Sequence, residues 1–258
     1  MAAAGRDDEP ALDPEFHLVR LESVGSTNAE AARRAAEGAA DGTLVWAGEQ
    51  TAGRARRGRE WRSPPGNLYC SLILRPAVPP RTAAQLSFVA ALAVADALGA
   101  FAPEDAAVRV KWPNDVLLAG RKASGILLES MPGPDGLVDW VVVGTGINVA
   151  SHPEDTEYPA TSLAAAGVGA VDAGQVLEAY AHAFAVWRGR WEREGFGPIR
   201  AAWLGVATGL GDPVVVRLDH QSLEGWFAAL DEDGALVLEM PGGVRRMIAA
   251  GDVFFPSG

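Results

Sequence analysis

The chain has 258 residues, enough to bury one sizeable core and a second, smaller one. Its hydrophobic content of 48% and its charged content of 21% are typical of a globular protein. A formal net charge of −11 argues against nucleic-acid binding through an overall positive surface. The single cysteine, Cys70, excludes an internal disulfide and favours a reducing compartment, the cytoplasm.

The N-terminal residues 1–15 are polar, carry charges of both signs and predict a disordered tail. They lack the apolar centre that a signal peptide requires. Because no apolar run approaches the length of a membrane span, we expect no membrane partner.

Residues 16–206 mix helical and strand patterns, which predicts one domain that combines helices with a sheet. Thr27 and Glu30 have the spacing of a capping box at the start of the first helix. In chain order, the predicted elements are a strand at 16–21, a helix from 27 to about 38, strands at 43–47 and 67–74, a helix at 86–98, strands at 107–112, 116–118, 123–130 and 138–149, and helices at 175–193 and 198–204.

From residue 207 to residue 258 the pattern changes to short strands separated by frequent turns. This arrangement is typical of a small β-barrel, which we predict as a second domain. Its five predicted strands lie at 214–218, 223–230, 235–239, 244–248 and 253–255.

A loop rich in arginine, residues 50–61, connects two apolar strand patterns. Its arginines lie between Gly53 and Gly58 or just beyond them, and they are Arg54, Arg56, Arg57 and Arg59. Glycine lets a backbone approach a ligand closely, and guanidinium groups bind phosphate and carboxylate through paired hydrogen bonds. The loop alone leaves two interpretations open, a specific anion site and an ordinary solvated or polyanion-binding surface.

Further polar motifs fall at the ends of predicted strands, and their residue types and order are distinctive. They are Ser26-Thr-Asn28, Lys111-Trp-Pro-Asn-Asp115, Gly120-Arg-Lys-Ala-Ser-Gly125 followed by Ile-Leu-Leu-Glu129, and Gly144-Thr-Gly-Ile-Asn148. Together with the arginine loop, this series resembles the biotin–protein ligases (biotin–[acetyl-CoA-carboxylase] ligases). The motifs cover residues 20–150, and the resemblance extends through the C-terminal region.

The resemblance implies an α/β (α+β) catalytic domain around a mixed β-sheet and a small C-terminal SH3-like β-barrel. It also implies that the protein makes biotinyl-5′-AMP from biotin and ATP with Mg²⁺. The biotin would then be transferred to a lysine of a biotin carboxyl carrier domain. Activation brings two anionic groups together, so the site must concentrate positive charge where they meet.

The resemblance also implies a role for each matching residue. Lys122, Arg54 and Arg56 would be catalytic, because they would hold the biotin carboxylate and the phosphate that it attacks. Biotin would contact Ser26, Thr27, Gln50, Arg54, Lys122 and Gly125. The nucleotide would contact Arg56, Arg57, Arg59, Trp61, Lys111 and Asn148, although Arg57 and Arg59 could instead order the loop. Asp115 would help to place Mg²⁺ or orient the acceptor lysine.

Two positions depart from the usual family pattern. Ala55 replaces a glycine of the loop, so that position cannot require a conformation restricted to glycine. Thr145 adds a hydroxyl group within the strand at 138–149.

The four histidines are scattered, so we predict no metal site built from histidine or cysteine. The chain begins close to the catalytic domain, and we therefore expect no DNA binding; a monomer and a homodimer both remain open.

The sequence leaves several alternatives open. Ser26 and Thr27 are also suited to capping a helix, Trp61 to core packing, Asn148 to a bulge and Asp115 to fixing a turn. A lipoate–protein ligase shares the expected fold, although polar Ser-Thr-Asn and Gln50 suit a ureido ring better than a dithiolane. A non-enzymatic RNA-binding module or an inactive biotin-binding relative would also use the arginine loop.

Overall fold

The computed structural model describes residues 10–255, and its first domain is built on a seven-stranded sheet with the order β1-β2-β3-β7-β6-β5-β4. Its strands are β1 (His17–Val24), β2 (Thr43–Gln50), β3 (Leu68–Leu74), β4 (Val108–Lys111), β5 (Asp115–Leu118), β6 (Arg121–Pro132) and β7 (Val138–Ile147). Strands β1 and β2 are parallel, and every other neighbouring pair is antiparallel. The predicted mixed sheet is therefore confirmed.

Helices cover both faces of this sheet, so the central strands are apolar on both sides. The helices of this domain are α1 (Thr27–Ala36), α2 (Pro80–Ala83), α3 (Leu86–Phe101), α4 (Ala173–Glu194) and α5 (Phe196–Gly205), of which α5 packs on α3 and α4. All seven residues of β3 are buried, because α1 packs on one face of the sheet while α3 and α4 pack on the other. A continuous apolar run is the expected sequence of such a strand.

The prediction that no apolar run approaches the length of a membrane span is wrong for one helical stretch. The helical stretch Pro80–Phe101 is long and apolar enough to cross a bilayer by length and composition alone. Most of its residues are buried, and α3 packs against α4 and the sheet. A buried core helix explains this apolar composition, because residues 88–94, nearly two turns, are buried on every side.

The start of the described chain also differs from expectation. Within the predicted disordered tail, Ala11 N donates a 2.6 Å hydrogen bond to Glu178 Oε1, and Leu12 packs against the main core. The rest of that prediction, residues 1–9, lies outside the described residues. Helix α1 is capped by Ser26, whose side chain accepts from Ala29 N, rather than by the expected Thr27 box.

The second domain is a five-stranded antiparallel sheet with the order β11-β10-β9-β8-β12. Its strands are β8 (Pro213–Arg217), β9 (Ser222–Leu230), β10 (Leu236–Glu239), β11 (Arg245–Ile248) and β12 (Asp252–Phe254). All five predicted strands are present. In the described part of the chain, no strand pairing joins β11 to β12, so a closed barrel stays a prediction.

Polar and aromatic contacts hold the two domains together. Trp112 Nε1 donates a 3.0 Å hydrogen bond to the carbonyl of Gly234, which lies in the turn before β10. Trp203 of α5 contacts Phe227 of β9, with 6.5 Å between ring centroids. This docking brings β12 beside the arginine loop and so completes one wall of the site.

Candidate active site

A cavity of about 460 Å³ lies where α1, the arginine loop, β6, β7 and the C-terminal sheet meet. Every predicted site residue except Arg57 lines it. Those lining residues are Ser26, Thr27, Gln50, Arg54, Arg56, Arg59, Trp61, Lys111, Asp115, Lys122, Gly125 and Asn148. The fold therefore assembles groups from widely separated segments around one cavity.

One end of the cavity is neutral and rich in directed hydrogen bonds. Gln50 Oε1 accepts from Thr27 N at 2.8 Å and from Thr27 Oγ1 at 3.0 Å, while Gln50 Nε2 donates to Ser63 Oγ at 2.8 Å. A carboxamide nitrogen carries two hydrogens, so Gln50 retains one N–H for a ligand. Beside it, Ser26 both caps α1 and faces the cavity, so the capping and binding interpretations are compatible.

Two buried serines that the sequence motifs do not highlight stabilise this end. Ser63 Oγ donates to Trp61 O at 2.8 Å and accepts from Gln50, which links the amide to the base of the arginine loop. Ser71 Oγ lies 2.8 Å from Thr27 Oγ1 and 2.6 Å from Asn28 Oδ1. Ser71 interrupts the apolar run of β3, and that interruption is the only sequence signal for it.

The arginine loop closes over the cavity and is fixed by the C-terminal domain. Asp252 lies 3.6 Å from Arg56 Nη1, 3.2 Å from Arg57 Nη1 and 3.2 Å from Arg59 Nη2. A single carboxylate thus neutralises part of a three-arginine cluster. Sequence spacing gave no indication of this pairing, because Asp252 reaches the loop only through domain docking.

The four loop arginines face different surroundings. Arg56 is the most enclosed; it donates to Asn114 Oδ1 at 3.0 Å and to Gly251 O at 3.2 Å. Burial lowers the pKa of Arg56 despite the opposing charge of Asp252. Arg57 does not line the cavity and pairs with Asp252 and Asp219, so a direct nucleotide contact by Arg57 requires movement.

The local backbone explains why Ala55 is tolerated in this loop. Its φ of −117° and ψ of 177° are extended values that any residue adopts. The left-handed conformations of this loop occur two and three residues later, with φ of 55° at Arg57 and 68° at Gly58. The prediction that position 55 needs no glycine is confirmed.

A buried charge cluster occupies the other end of the cavity. Asp115 Oδ2 accepts from Lys111 Nζ at 3.3 Å, and Asp115 Oδ1 lies 2.6 Å from Lys122 Nζ. The second contact is an ion pair whose angle does not make a directed hydrogen bond. Burial opposes ionisation of Asp115, but the charges of Lys122 and Lys111 outweigh it and lower the pKa of this carboxyl.

Lys111 is almost wholly buried within the same cluster. Its Nζ lies 4.6 Å from the ring centroid of Tyr158 and 5.9 Å from that of Phe254. Burial lowers the pKa of Lys111, while Asp115 opposes that shift. Burial and the charge of Asp115 raise the pKa of Tyr158. Phe254 belongs to β12, so the C-terminal domain also completes this end.

The Trp61 ring lies across two glycines that face each other on β6 and β7. A Cβ atom on Gly146 would stand 2.5 Å from Trp61 Nε1, and one on Gly125 would stand 3.0 Å from Trp61 Cζ3. Trp61 Nε1 is buried without a hydrogen-bond partner among the described residues. The indole therefore occupies the space that the missing side chains of Gly125 and Gly146 leave.

Thr145 and Asn148, from the motif at residues 144–148, have hydrogen-bond partners that could not be predicted from the sequence. Thr145 Oγ1 is 2.9 Å from Tyr180 Oη of α4, in a buried contact behind the site. Asn148 Nδ2 donates to Thr161 O at 2.9 Å, and Asn148 still lines the cavity. Asn148 therefore has a structural contact in addition to its place in the cavity wall.

The side chains of residues 10–255 do not build a metal site. Within residues 10–255, no group of three or more His, Cys, Asp or Glu side chains is arranged to hold a metal ion. The oxygens of Asp115 are engaged by Lys111 and Lys122. This donor set does not fit a magnesium ion that is coordinated mainly by the protein.

Comparison with known families agrees with this geometry. A model described as "Biotin/lipoate A/B protein ligase family" matches residues 60–205, and one described as "Biotin protein ligase C terminal domain" matches residues 209–255. The chain belongs to the biotin/lipoate A/B protein ligase family.

Individual members of the family are similar over most of the chain. A biotin–[acetyl-CoA-carboxylase] ligase from Paracoccus denitrificans is 46% identical, over 91% of this chain and 99% of that protein. One from Mycobacterium tuberculosis is 36% identical, over 89% of this chain and 85% of that protein. The solved biotin protein ligase from Aquifex aeolicus in complex with biotin and ATP has a TM-score of 0.78 at 29% identity, covering 92% of this chain and 97% of that one.

Proposed function

We propose that this protein is a biotin–protein ligase that forms biotinyl-5′-AMP and transfers biotin to a lysine of a carrier domain. One observation supports this proposal above the others. A single cavity has the neutral groups of Thr27 and Gln50 at one end and the cations Lys111 and Lys122 at the other, and three arginines of the loop also line it.

The neutral end suits the ureido ring of biotin. A ureido group has a carbonyl that accepts hydrogen bonds and two N–H groups that donate them. The free N–H of Gln50 would donate to the carbonyl, and hydroxyl oxygens of Ser26 and Thr27 would accept from the ring. The dithiolane of lipoate offers no comparable polar groups, so these contacts favour biotin.

The charged end suits the activation step. A carboxylate oxygen of biotin would form a bond to the α-phosphorus of ATP, and the bond from that phosphorus to the β-phosphate oxygen would break. Lys122, Arg54 and Arg56 would neutralise the two anions as they meet and the charge on the leaving pyrophosphate. We assign Lys111 and Arg59 to the outer phosphates, Trp61 to the adenine face and Asn148 to its edge.

In the transfer step, the amine nitrogen of the carrier lysine would attack the acyl carbon of biotinyl-5′-AMP. The bond from that carbon to the phosphate oxygen would break, AMP would leave, and the amine would lose a proton to solvent. Lys122 would stabilise the same acyl-phosphate oxygens in both steps, and its place beside Trp61 and Gly125 supports this role.

Asp115 is best suited to holding Lys122 in place. Its lowered pKa keeps the carboxylate ionised at neutral pH, and its two oxygens contact Lys122 and Lys111. Contact with the acceptor lysine would require that Lys122 first move toward the adenylate. Any Mg²⁺ that accompanies ATP belongs to the nucleotide substrate in this proposal.

The remaining partners follow from this chemistry. We propose a biotin carboxyl carrier domain as the acceptor and the cytoplasm as the location, where biotin, ATP and carrier proteins occur together. The free, buried thiol of Cys70 is compatible with a reducing compartment. Monomer and homodimer remain predictions, as does the absence of DNA binding.

The exchange of labelled pyrophosphate into ATP tests this function directly, because it reports reversible adenylate formation. We expect exchange when biotin is supplied and background exchange when lipoate replaces it. Exchange with lipoate alone would make the protein a lipoate ligase. Exchange with neither compound would refute adenylation of either acid, and salt-sensitive RNA retention on a filter would then favour the RNA-binding alternative.

A further inference from the structure

Three motif residues have no role in the proposed chemistry, and the structure brings them together behind the arginine loop. They are Asn28 from the Ser-Thr-Asn motif, Glu129 at the end of Gly-Ile-Leu-Leu-Glu, and Gly144 from the β7 motif. Asn28 and Gly144 line the cavity, whereas Glu129 is absent from its wall. Their shared contacts lead to one cavity residue, Arg54.

The amide of Asn28 has a fixed orientation. Ser71 Oγ donates to Asn28 Oδ1 at 2.6 Å, which leaves Asn28 Nδ2 to donate to Leu127 O at 3.3 Å and to Glu129 Oε2 at 2.8 Å. Ser71 is wholly buried and Asn28 almost so. A Cβ atom on Gly144 would overlap Asn28 Oδ1, so the absence of a side chain on Gly144 leaves the space that this amide occupies.

Glu129 links the fixed amide of Asn28 to the arginine loop. Its Oε2 atom, held by Asn28, accepts from Arg54 Nη2 at 3.3 Å. A guanidinium group has five N–H donors, and this contact uses one nitrogen. The remaining donors of Arg54 stay available on the side that lines the cavity.

We infer that Glu129 is a positioning residue that presents Arg54 to the carboxylate of the bound acid. This inference rests on the proposed function, which assigns that carboxylate to Arg54 and Lys122. The Arg54 side chain is 47% exposed, so without a partner it samples many rotamers that a ligand must restrict. Ordering it beforehand lowers that cost of binding.

A competing role for the contact between Glu129 and Arg54 would have the opposite effect on biotin binding. If Glu129 were chiefly a rival anion, it would occupy Arg54 and weaken carboxylate binding. Its removal would then tighten biotin binding. The hydrogen bond from Asn28 argues for positioning, because it keeps Glu129 behind Arg54 and outside the cavity.

Calorimetric binding of biotin and of biotinol, its alcohol analogue without a carboxylate, tests the inference. We expect Glu129→Ala to weaken biotin binding about threefold to tenfold and to leave biotinol binding within about twofold of wild type. Glu129→Gln keeps an acceptor for Asn28, so its affinity for biotin should lie between those of Glu129→Ala and wild type. Glu22→Ala, at an exposed site on β1, is the matched control and should bind both ligands as wild type does.

Arg54→Ala and the Arg54→Ala/Glu129→Ala double variant complete the experiment. If Glu129 acts through Arg54, the second substitution adds nothing to the first. Equal losses for biotin and biotinol in Glu129→Ala, tighter biotin binding, or additive effects in the double variant would each overturn the inference. Should Arg54→Ala affect both ligands equally or neither, the fault would lie in the role that the proposed function gives Arg54.

Discussion

Lys122 Nζ lies 2.6 Å from Asp115 Oδ1 at the charged end of the cavity. The same carboxylate accepts a hydrogen bond from Lys111 Nζ at 3.3 Å, so two cations share one buried anion. This arrangement leaves a net positive charge beside the position proposed for the acyl phosphate. The lysine pair can therefore serve an anionic intermediate without leaving a wholly uncompensated charge in the empty site.

Replacing Lys122 with alanine should abolish most adenylate formation while the fold persists, because Asp115 keeps Lys111 as a partner. Loss of one preorganised cationic donor to a developing charge should lower the rate of biotin-dependent pyrophosphate exchange by about a hundredfold or more. Arg121→Ala, at the exposed neighbouring position, is the control and should retain the wild-type rate. Exchange at an undiminished rate in Lys122→Ala, with an unchanged melting temperature, would remove Lys122 from the mechanism.

Asp115 should make stability depend on pH in the acidic range. Its pKa is lower in the folded protein than in the unfolded chain, so the unfolded chain takes up the proton first as pH falls. The stabilisation by this carboxylate is complete above its unfolded pKa of about 3.9 and is lost as pH falls through the lowered folded value. Urea unfolding should therefore show a shallower acid loss in Asp115→Asn than in wild type.

The same variant should also be less stable at neutral pH, by about 3 kcal/mol, because Lys111 would be buried without its carboxylate. Asp105→Asn, which changes an exposed aspartate, should follow the wild-type curve. Identical acid slopes for wild type and Asp115→Asn would show that Asp115 does not titrate differently on folding.

Much of the fold and the site could be predicted from local sequence patterns. Strand and helix periods located most of the described elements, and motifs such as Lys111–Asp115 named most of the cavity wall. These features depend on short stretches of chain, where side-chain period, glycine and proline carry direct information. The Ser26 cap and the burial of Pro80–Phe101 were harder to predict. Similar local patterns fit either outcome, and the packing of neighbouring segments determines which one occurs.

The residues that sequence reasoning missed act across long separations. Asp252 meets the loop only when the two domains dock, Tyr180 reaches Thr145 from α4, and Ser63 joins Gln50 only when the loop folds back. A pairing of this kind leaves no spacing rule in one sequence. Each partner is an ordinary acid, aromatic or hydroxyl residue until the tertiary structure fixes its neighbour.

Asp252→Asn should release the arginine loop in the unliganded protein. Three guanidinium groups contact this carboxylate, so its neutralisation removes a shared anchor between the loop and β12. Limited trypsin digestion should cleave after Arg56, Arg57 or Arg59 several times faster than in wild type. Biotin and ATP together should reduce the difference, because the adenylate phosphate would supply a substitute anion.

Asp212→Asn, at an exposed position in the turn before β8, is the control for this digestion. It should be cleaved at the wild-type rate with and without ligands. If Asp252→Asn and wild type were cleaved equally fast without ligands, the carboxylate would not be what orders the loop.

Gly146→Ala should displace the Trp61 ring, because the new Cβ would stand 2.5 Å from Nε1 and 2.6 Å from Cε2 of that indole. If Trp61 stacks on adenine, the loss of one ring stack, about 1.4 kcal/mol, should raise the KM for ATP about tenfold. Gly99→Ala on α3 is the control, since its Cβ would meet no heavy atom within 4 Å. In a Trp61→Ala background, Gly146→Ala should have no further effect on that KM; a full additional loss there would show that Gly146 acts on the nucleotide independently of the indole.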